Sequence, residues 1–585
     1  MPESAFISGR LEQMRPFEMF SRDEWLDLHE GCFDAWRREV LPRLRDQCRP
    51  PLTPDRHGPV DFAELLWQLA GTEFQKAWLF LAIARRHASL HAIAKPRIFA
   101  PAALAFANEP ACRKDGAAGL APDPFWNALE ATREWLLSGA HAARLAFGTV
   151  RATFLRRLDL GRRPHLWRGI SPREIPATPR QVDFAWAVHN GWLASDASAY
   201  FPPVRLEARQ RQYLRDTGVA AIEPLDEFRI PSRLDLWANL LRSLRCVIAA
   251  ALWRAGLEGA WLARLALRGL LWGRIAETVN ARFYFTTTSS SWPEQAELAV
   301  FKRQGVRSIT WAYSANSLTF AWHLPGFRDV GVERSLLTTD EFWVWNDAFK
   351  QWLENRRVGD ASRGPSIRIV GALMCGDSRH LQGSPEAARK QLGLPTGQFL
   401  VGVFDMPAIS VAWKQRHGGG PSMIEPEYYA GFLNGVLRIL REVPEAAIIL
   451  KLKRSIGDWT REYPDELHLL VNSDGPWHSS GRIHVIDADI DPYLPVACSD
   501  MTVGMPFTSP VLAGMSAGRP GCYYDPSRIA NWSAAPALRL ITLQDGDALV
   551  QAVRSRGASL PSPDALASII PPTLDRSLLK DLENA

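Results

Sequence analysis

No run of about 18 uncharged apolar residues occurs in this chain, so no membrane-spanning helix is expected. The opening "MPESAFISGRLEQMRPFEMF" lacks an apolar core, and no secretion signal is expected either. Cysteine is scarce and scattered, seven residues at Cys32, Cys48, Cys112, Cys246, Cys375, Cys498 and Cys522, with no C-x-x-C pair for zinc or redox work. Such a dispersed, odd-numbered set fits a reduced, cytoplasmic chain. Charge of one sign is also missing: 68 basic against 63 acidic residues leave a net +5, too weak a bias to make nucleic acid a partner. Neither a G-x-G-x-x-G nor a Walker pattern is present. Paired acids and metal-ligand spacings are absent, and His87 and His91, four apart, have no third ligand. Any chemistry is therefore expected to need no metal and no resident cofactor.

What is present is a long, foldable chain. Its 585 residues exceed a single hydrophobic core and suggest two or three domains. At 46% hydrophobic and 22% charged residues, the composition is that of a globular protein throughout. Tryptophan is the outlier, with 23 copies, most of them expected in packing.

Residues 1–178 read as helical, in segments such as "SRDEWLDLHEGCFDAWRREVLPRLRDQC", separated by proline-rich joints and poor in strand signals. From 179 to 360 the pattern becomes α/β. "ARFYFTTTSSSWPEQAELAVFKRQGVRSITWAY" reads as strand, hydroxyl-rich loop, helix, glycine stop and a second, parallel strand. A further α/β series fills 361–585, with strands "IRIVGAL", "FLVGVFDM", "AAIILKLK", "RIHVID", "DMTVGM" and "GCYYD" alternating with helices. The expected fold class is α/β, a pair of Rossmann-type domains with parallel sheets behind an all-helical N-terminal region. Within the first α/β domain, residues 233–277 form a Trp/Arg-rich helical insertion with few acids. It reads either as a helix pair lying on an anionic membrane surface or as core helices with outward arginines.

Ligands of open parallel sheets sit beyond the carboxyl ends of the strands. There "AIILKLKR" brings Lys451, Lys453 and Arg454, whose alternation predicts Lys451 and Lys453 on one face and whose charge suits a donor phosphate. "GMPFTSP" places Thr508 and Ser509 at a helix N-terminus, where they either cap the helix or bind an anion. The loop "PAISVAWKQRHGGGPSMIEPEYY" carries Lys414 and Arg416 and reads as a closing flap or a surface insertion. Glu294 and His323 are the candidates for a base that takes a proton from an acceptor hydroxyl, and Asp377 is a further polar group near the expected cleft.

The order of segments from "IRIVGALMCGD" to "RPGCYYD", with the quartet "PFTS" at Pro506–Ser509, resembles the C-terminal half of GT-B glycosyltransferases of bacterial surface polysaccharide synthesis, and the quartet resembles the signature of the polysaccharide biosynthesis PFTS motif proteins. The resemblance spans about residues 280–530. It implies a GT-B fold and a nucleotide-sugar donor held mainly by the C-terminal domain. It also implies a glycan or lipid-linked glycan acceptor of O-antigen or capsule type, and work in the cytoplasm or at the cytoplasmic face of the inner membrane. Where related transferases often carry His-Pro, this chain reads "KLKRS", so no histidine role carries over. Alternatives of other classes are a CDP-alditol phosphotransferase of teichoic-acid type and a non-catalytic scaffold of polysaccharide assembly.

Overall fold

The computed structural model describes residues 161–169, 193–224, 236–287 without 254–255, 295–312, 339–355, 365–371, 384–417 and 424–572 without 489, 507, 531 and 533–535. Before residue 161 it describes the segments 6–8, 15–42, 53–55, 58–60, 78–87, 89–90, 97–99, 121–122 and 124–154, together with isolated positions there and between 175 and 191. His91, Glu294, His323, Asp377 and Phe507 lie outside the described residues.

The N-terminal region is not purely helical. Helices α1 (Arg22–Ala35) and α2 (Pro124–Phe154) are accompanied by short strands. Strands β1 (Phe6–Ser8), β4 (Arg97–Phe99) and β5 (Ala121–Pro122) make a small parallel sheet, and β2 (Thr53–Asp55) pairs with β3 (Gly58–Val60). Strands of two or three residues are too short to leave a period-2 pattern, so local sequence points to the helices alone.

Two parallel sheets form the body. The first has seven strands: β6 (His165–Arg168), β7 (Ser198–Phe201), β8 (Ala220–Ala221), β9 (Phe283–Thr287), β10 (Arg307–Trp311), β11 (Glu341–Val344) and β12 (Ser366–Ile369). Their spatial order is β12-β11-β10-β9-β6-β7-β8, all parallel. This is a doubly wound arrangement that reverses direction between β6 and β9. Two boundaries shift from the sequence reading. His165–Arg168, read as part of the helical region, is a central strand. "IRIV", read as opening the second series, pairs with β11 and closes the first sheet.

Helices α3 (Ala208–Asp216), α4 (Leu236–Trp253) and α5 (Leu257–Val279) follow β7, with α4 and α5 making the long return from β8 to β9. The Trp/Arg-rich segment is therefore the sheet's own crossover rather than an insertion. Its second helix is core: Ala263, Leu267, Leu271, Trp272 and Ile275 are buried with Phe201, Tyr284 and Phe301. The opposite face of the sheet takes up three of the 23 tryptophans. Trp167, Phe285, Trp311 and Trp343 stand on neighbouring strands as a row of ring contacts, with Trp167 and Trp311 centroids 5.1 Å apart and Trp311 and Trp343 stacked at 5.8 Å. Helices α6 (Gln295–Arg303) and α7 (Asp347–Asn355) complete this unit.

The second sheet begins after α8 (Pro385–Leu392), which Ser384 caps by accepting a bond from the Ala387 amide. Strand β13 (Phe399–Phe404) is fully buried, as its unbroken apolar run predicts. A two-stranded ribbon, β14 (Ala408–Ile409) with β16 (Arg461–Glu462), lies beyond its carboxyl end, followed by α9 (Val411–His417) and α10 (Pro426–Glu442). Strands β15 (Ala446–Lys451), β17 (Ile483–Ile486), β18 (Met501–Gly504), β19 (Gly521–Tyr524) and β20 (Thr542–Leu543) complete the parallel order β17-β15-β13-β18-β19-β20. This is the Rossmann order, with its reversal between β13 and β18. Helices α11 (Tyr493–Cys498), α12 (Ser509–Ser516) and α13 (Gly546–Arg554) cover it. The chain then returns to the first unit, where the Ile569 carbonyl accepts from Asn346 Nδ2 at 2.7 Å and the Ser568 carbonyl from the Ala348 amide.

Candidate functional site

The reversal point of the second sheet is where its sequence is most unusual. Two neighbouring strands there send their connections in opposite directions, which opens a crevice at their carboxyl ends. The β13 side supplies Asp405 and Met406, and the β18 side supplies Met505, Pro506, Thr508 and Ser509. Met406 and Met505 meet across it, the Met406 amide lying 3.1 Å from the Met505 sulfur.

The turn after β18 is built by small residues. A Cβ on Gly504 would collide with the Thr508 hydroxyl and come within 2.7 Å of Val511, so only glycine lets the first turn of α12 settle on the strand end. Gly514 and Gly521 likewise make room for Thr502. The close approach that these residues allow is therefore of helix to sheet. Thr508 is the N-cap residue by position but does not cap with its side chain. Its hydroxyl donates instead to the Met505 carbonyl at 2.7 Å, and its own carbonyl accepts from Tyr523. Thr508 and Ser509 are both buried. The helix dipole and first-turn amides of α12 thus face the crevice without a Thr508 oxygen across them, the arrangement that attracts an anion.

The other wall is cationic. Asp405, 3% exposed, accepts from the Tyr429 hydroxyl at 2.5 Å and from the Lys453 amide at 2.6 Å, so it fixes the chain just past the end of β15. Burial raises the Asp405 carboxyl above its usual range, although those two donors and the cations of Lys451 and Lys453 pull the other way. The Lys453 side chain is exposed yet hemmed in by protein. Burial first, then the neighbouring Arg454 and Arg461, depress its pKa to about 8, with Asp405 opposing. Arg461 on β16 is pushed down by burial and by Arg454, and its Nε is buried without a hydrogen bond. Asp458, held low by the Thr460 hydroxyl and amide, lies close enough to Arg454 and Arg461 to offset part of their charge. With Asp405 it leaves the three cations one charge in excess, which a bound anion would balance. At the rim, Trp459 is 51% exposed, with the Arg416 guanidinium 5.3 Å from its ring centre and its carbonyl held by Ser410 at 2.7 Å.

The residues expected from sequence divide as follows. Lys453 and Arg454 stand together at the crevice, with α12 and its Thr508 and Ser509 two strands away, roughly 10 Å at ordinary strand spacing. Lys451 does not share their face. It is 5% exposed, and its ammonium donates to the Leu452 and Ala488 carbonyls, because Lys453 lies past the strand end, where alternation no longer applies. Lys414 is 4% exposed and paired with Glu425 at 2.9 Å, so it anchors α9 rather than facing a ligand. Arg416 is exposed and stacks on Trp459. Asp405, Tyr429, Arg461 and Trp459 are further residues of the site that the sequence does not mark as candidates. Only Asp405, polar at the end of an apolar strand, left a local signal.

In the first sheet, the reversal point brings up Arg168 at the end of β6. Its guanidinium lies over Trp272 at 5.5 Å and 4.0 Å from Glu297. Glu297 is fully buried and also bonded by Tyr284 and by Arg268 at 3.2 Å, so this carboxylate of α6 is a structural counter-ion.

No curated protein sequence matches the chain. Solved structures with similar folds include sucrose-phosphate synthase from Thermosynechococcus elongatus, at 13% identity over 72% of this chain and 98% of that one with a TM-score of 0.38. A variant of the wall teichoic acid polymerase TagF shares 8% identity over 79% of this chain and 96% of that one, with a TM-score of 0.41. A glycosyltransferase from Rickettsia africae shares 10% identity over 72% of this chain and 97% of that one, with a TM-score of 0.38. The family described as polysaccharide biosynthesis PFTS motif protein matches residues 243–553, just over half of the chain and the part that carries most of α4, all of α5, the second sheet and the crevice. The chain belongs to the polysaccharide biosynthesis PFTS motif protein family.

Proposed function

We propose that this protein is a glycosyltransferase that moves a sugar from a nucleotide-activated donor to a surface-polysaccharide acceptor, a glycan or lipid-linked glycan of O-antigen or capsule type, on the cytoplasmic side. One observation carries the reading: a helix N-terminus and a crowded cation cluster share the reversal point of a Rossmann-ordered sheet. In the reaction the acceptor hydroxyl oxygen bonds to the anomeric carbon while the bond from that carbon to the donor phosphate breaks. The electron pair leaves with the phosphate oxygen. Lys453, Arg454 and Arg461 on one wall and the first-turn amides of α12 on the other neutralise that leaving charge. Trp459 offers a planar surface at the rim to the base or a sugar ring. Glu294 and His323 are the proposed bases for the acceptor proton.

The test is a thermal-shift panel with CMP, CDP, UDP, GDP, dTDP, their sugar conjugates and CDP-alditols. Ligand at about 100 times its dissociation constant adds roughly 2.7 kcal/mol to native-state stability. The reading expects a shift with one nucleotide class, lost in Lys453→Met and Arg461→Met. No shift with any nucleotide would overturn it, and a shift confined to CDP-alditols would replace sugar transfer by alditol-phosphate transfer.

A further inference from the structure

Seven of the exposed large hydrophobic residues lie on two adjacent helices, far more than scattered surface leucines require. On α4, Leu241, Leu244, Ile248 and Leu252 are 55%, 44%, 53% and 83% exposed, and their spacing of three, four and four puts them on one stripe. The opposite side of the same helix, Ser243, Cys246 and Ala250, is buried. On α2, Leu129, Leu136 and Leu137 are 45%, 69% and 43% exposed, while Glu134, Ser138 and Leu145 are buried. The two helices pack against each other and both pack against the core helix α5. Ser138 bonds the Ala260 carbonyl and Glu134 pairs with Arg264 at 2.9 Å, which locks the leucine stripes outward.

Charge selects the occupant. Arg133, Arg144 and Arg245 are exposed among these leucines, with Arg242 half-buried beside them, and α4 contains no acidic residue. Glu134, the nearest acid described on α2, is turned inward and paired. A second copy docking on this face would bring arginine against arginine, whereas an anionic bilayer surface offers phosphates to the arginines and an acyl boundary to the leucines. Among the described residues no helix is long and apolar enough to cross a membrane, so the contact is one of lying on the surface. We propose that the α2–α4 face docks the protein on anionic phospholipid bilayers, with Leu136, Ile248 and Leu252 inserted and Arg133, Arg242 and Arg245 at headgroup level. The structure narrows the membrane reading of residues 233–277 to one helix of that pair and adds α2. Arg264 and Arg268 take no part, being held at 2.9 and 3.2 Å by the buried Glu134 and Glu297, whereas Arg133 lies 3.8 Å from Glu134 and keeps 63% of its side chain exposed.

The test uses the purified full chain in flotation with vesicles of phosphatidylcholine alone and of phosphatidylcholine with phosphatidylglycerol, without nucleotide or glycan, so its result is independent of the donor site. Binding is expected only to the anionic vesicles, weakening with salt. Leu136→Glu with Leu252→Glu should lower binding roughly 30-fold or more with melting unchanged. Arg242→Gln and Arg245→Gln should each lower it roughly fivefold. Absence of binding by the unmodified chain, or full binding by the folded double-leucine variant, overturns the proposal. A concentration-dependent dimer in sedimentation velocity that the same variant abolishes also overturns it, in favour of self-association. Should the leucine variant fail to fold, the arginine variants decide: unchanged affinity for anionic vesicles refutes the proposal.

Discussion

Replacing Lys453 by methionine should have opposite effects on stability and on ligand binding. Burial first, then Arg454 and Arg461, lower the pKa of the ammonium from the ordinary 10.5 to about 8. Because the folded value lies below the unfolded one, the unfolded chain holds the extra proton between those pH values. Stability therefore rises as pH climbs through that window, and the full cost of the charge is present below about pH 8. The side chain keeps exposed surface, so most of the Coulombic repulsion is screened, leaving a cost of about 1 kcal/mol. Methionine removes it while keeping most of the packing volume, and the melting temperature at pH 7 should rise by about 2 °C for a domain of this size. Against that, a charge-assisted contact to a phosphate contributes about 1.5–3 kcal/mol, so nucleotide affinity should fall roughly 10- to 150-fold. Calorimetric titration together with thermal melting of the two proteins reads both effects. A variant that is less stable than the parent yet binds nucleotide equally well would refute the reasoning, because Lys453 would then be a structural lysine with satisfied partners.

The same residue gives a pH prediction. Nucleotide phosphate raises the Lys453 pKa again, so binding at pH 8 should take up about half a proton per site, measured by titration in buffers of different ionisation enthalpy, and affinity should decline above that pH. Trp459→Ala should leave melting nearly unchanged, since the ring is 51% exposed, while weakening binding about tenfold; equal affinity would remove the indole from the site. Gly504→Ala should destabilise by about 2–3 kcal/mol, visible as a lower urea midpoint, because the new methyl drives Thr508 and Val511 off the strand end. Arg389→Met should lower stability by about 3 kcal/mol: the guanidinium, 3% exposed, bonds the Cys498 carbonyl at 2.8 Å and Asp500 at 2.7 Å, and methionine leaves both without it.

The unbroken apolar runs "FLVGVF" and "AAIILK" with their intervening helices announced the second parallel sheet, since a strand buried on both faces leaves that record locally. The glycine and proline around "PFTS" announced a strand-turn-helix, which the structure has at β18 and α12. "HLWR" is not legible as a strand, because four residues between a helix and a proline-rich stretch carry no period of their own. "IRIV" belongs to the first sheet, which its sequence does not say because pairing partners are not written in a strand. The same limit governs the site. Lys453 and Arg454 were legible as cations after a strand, whereas Arg461 and Trp459 reach them only through the β14–β16 ribbon, and Lys414 carries an identical charge but is spent on Glu425.

By itself, then, the sequence determined the α/β class, five of the six strands of the second sheet and the chemical type of the residues past their ends, because periodicity and turn chemistry act within a few neighbouring positions. Strand order, and with it the location of the reversal point, was decided only by tertiary structure, as was the division of like residues into partnered and exposed ones. Those properties depend on which distant segments meet and on how much water each side chain keeps after they do.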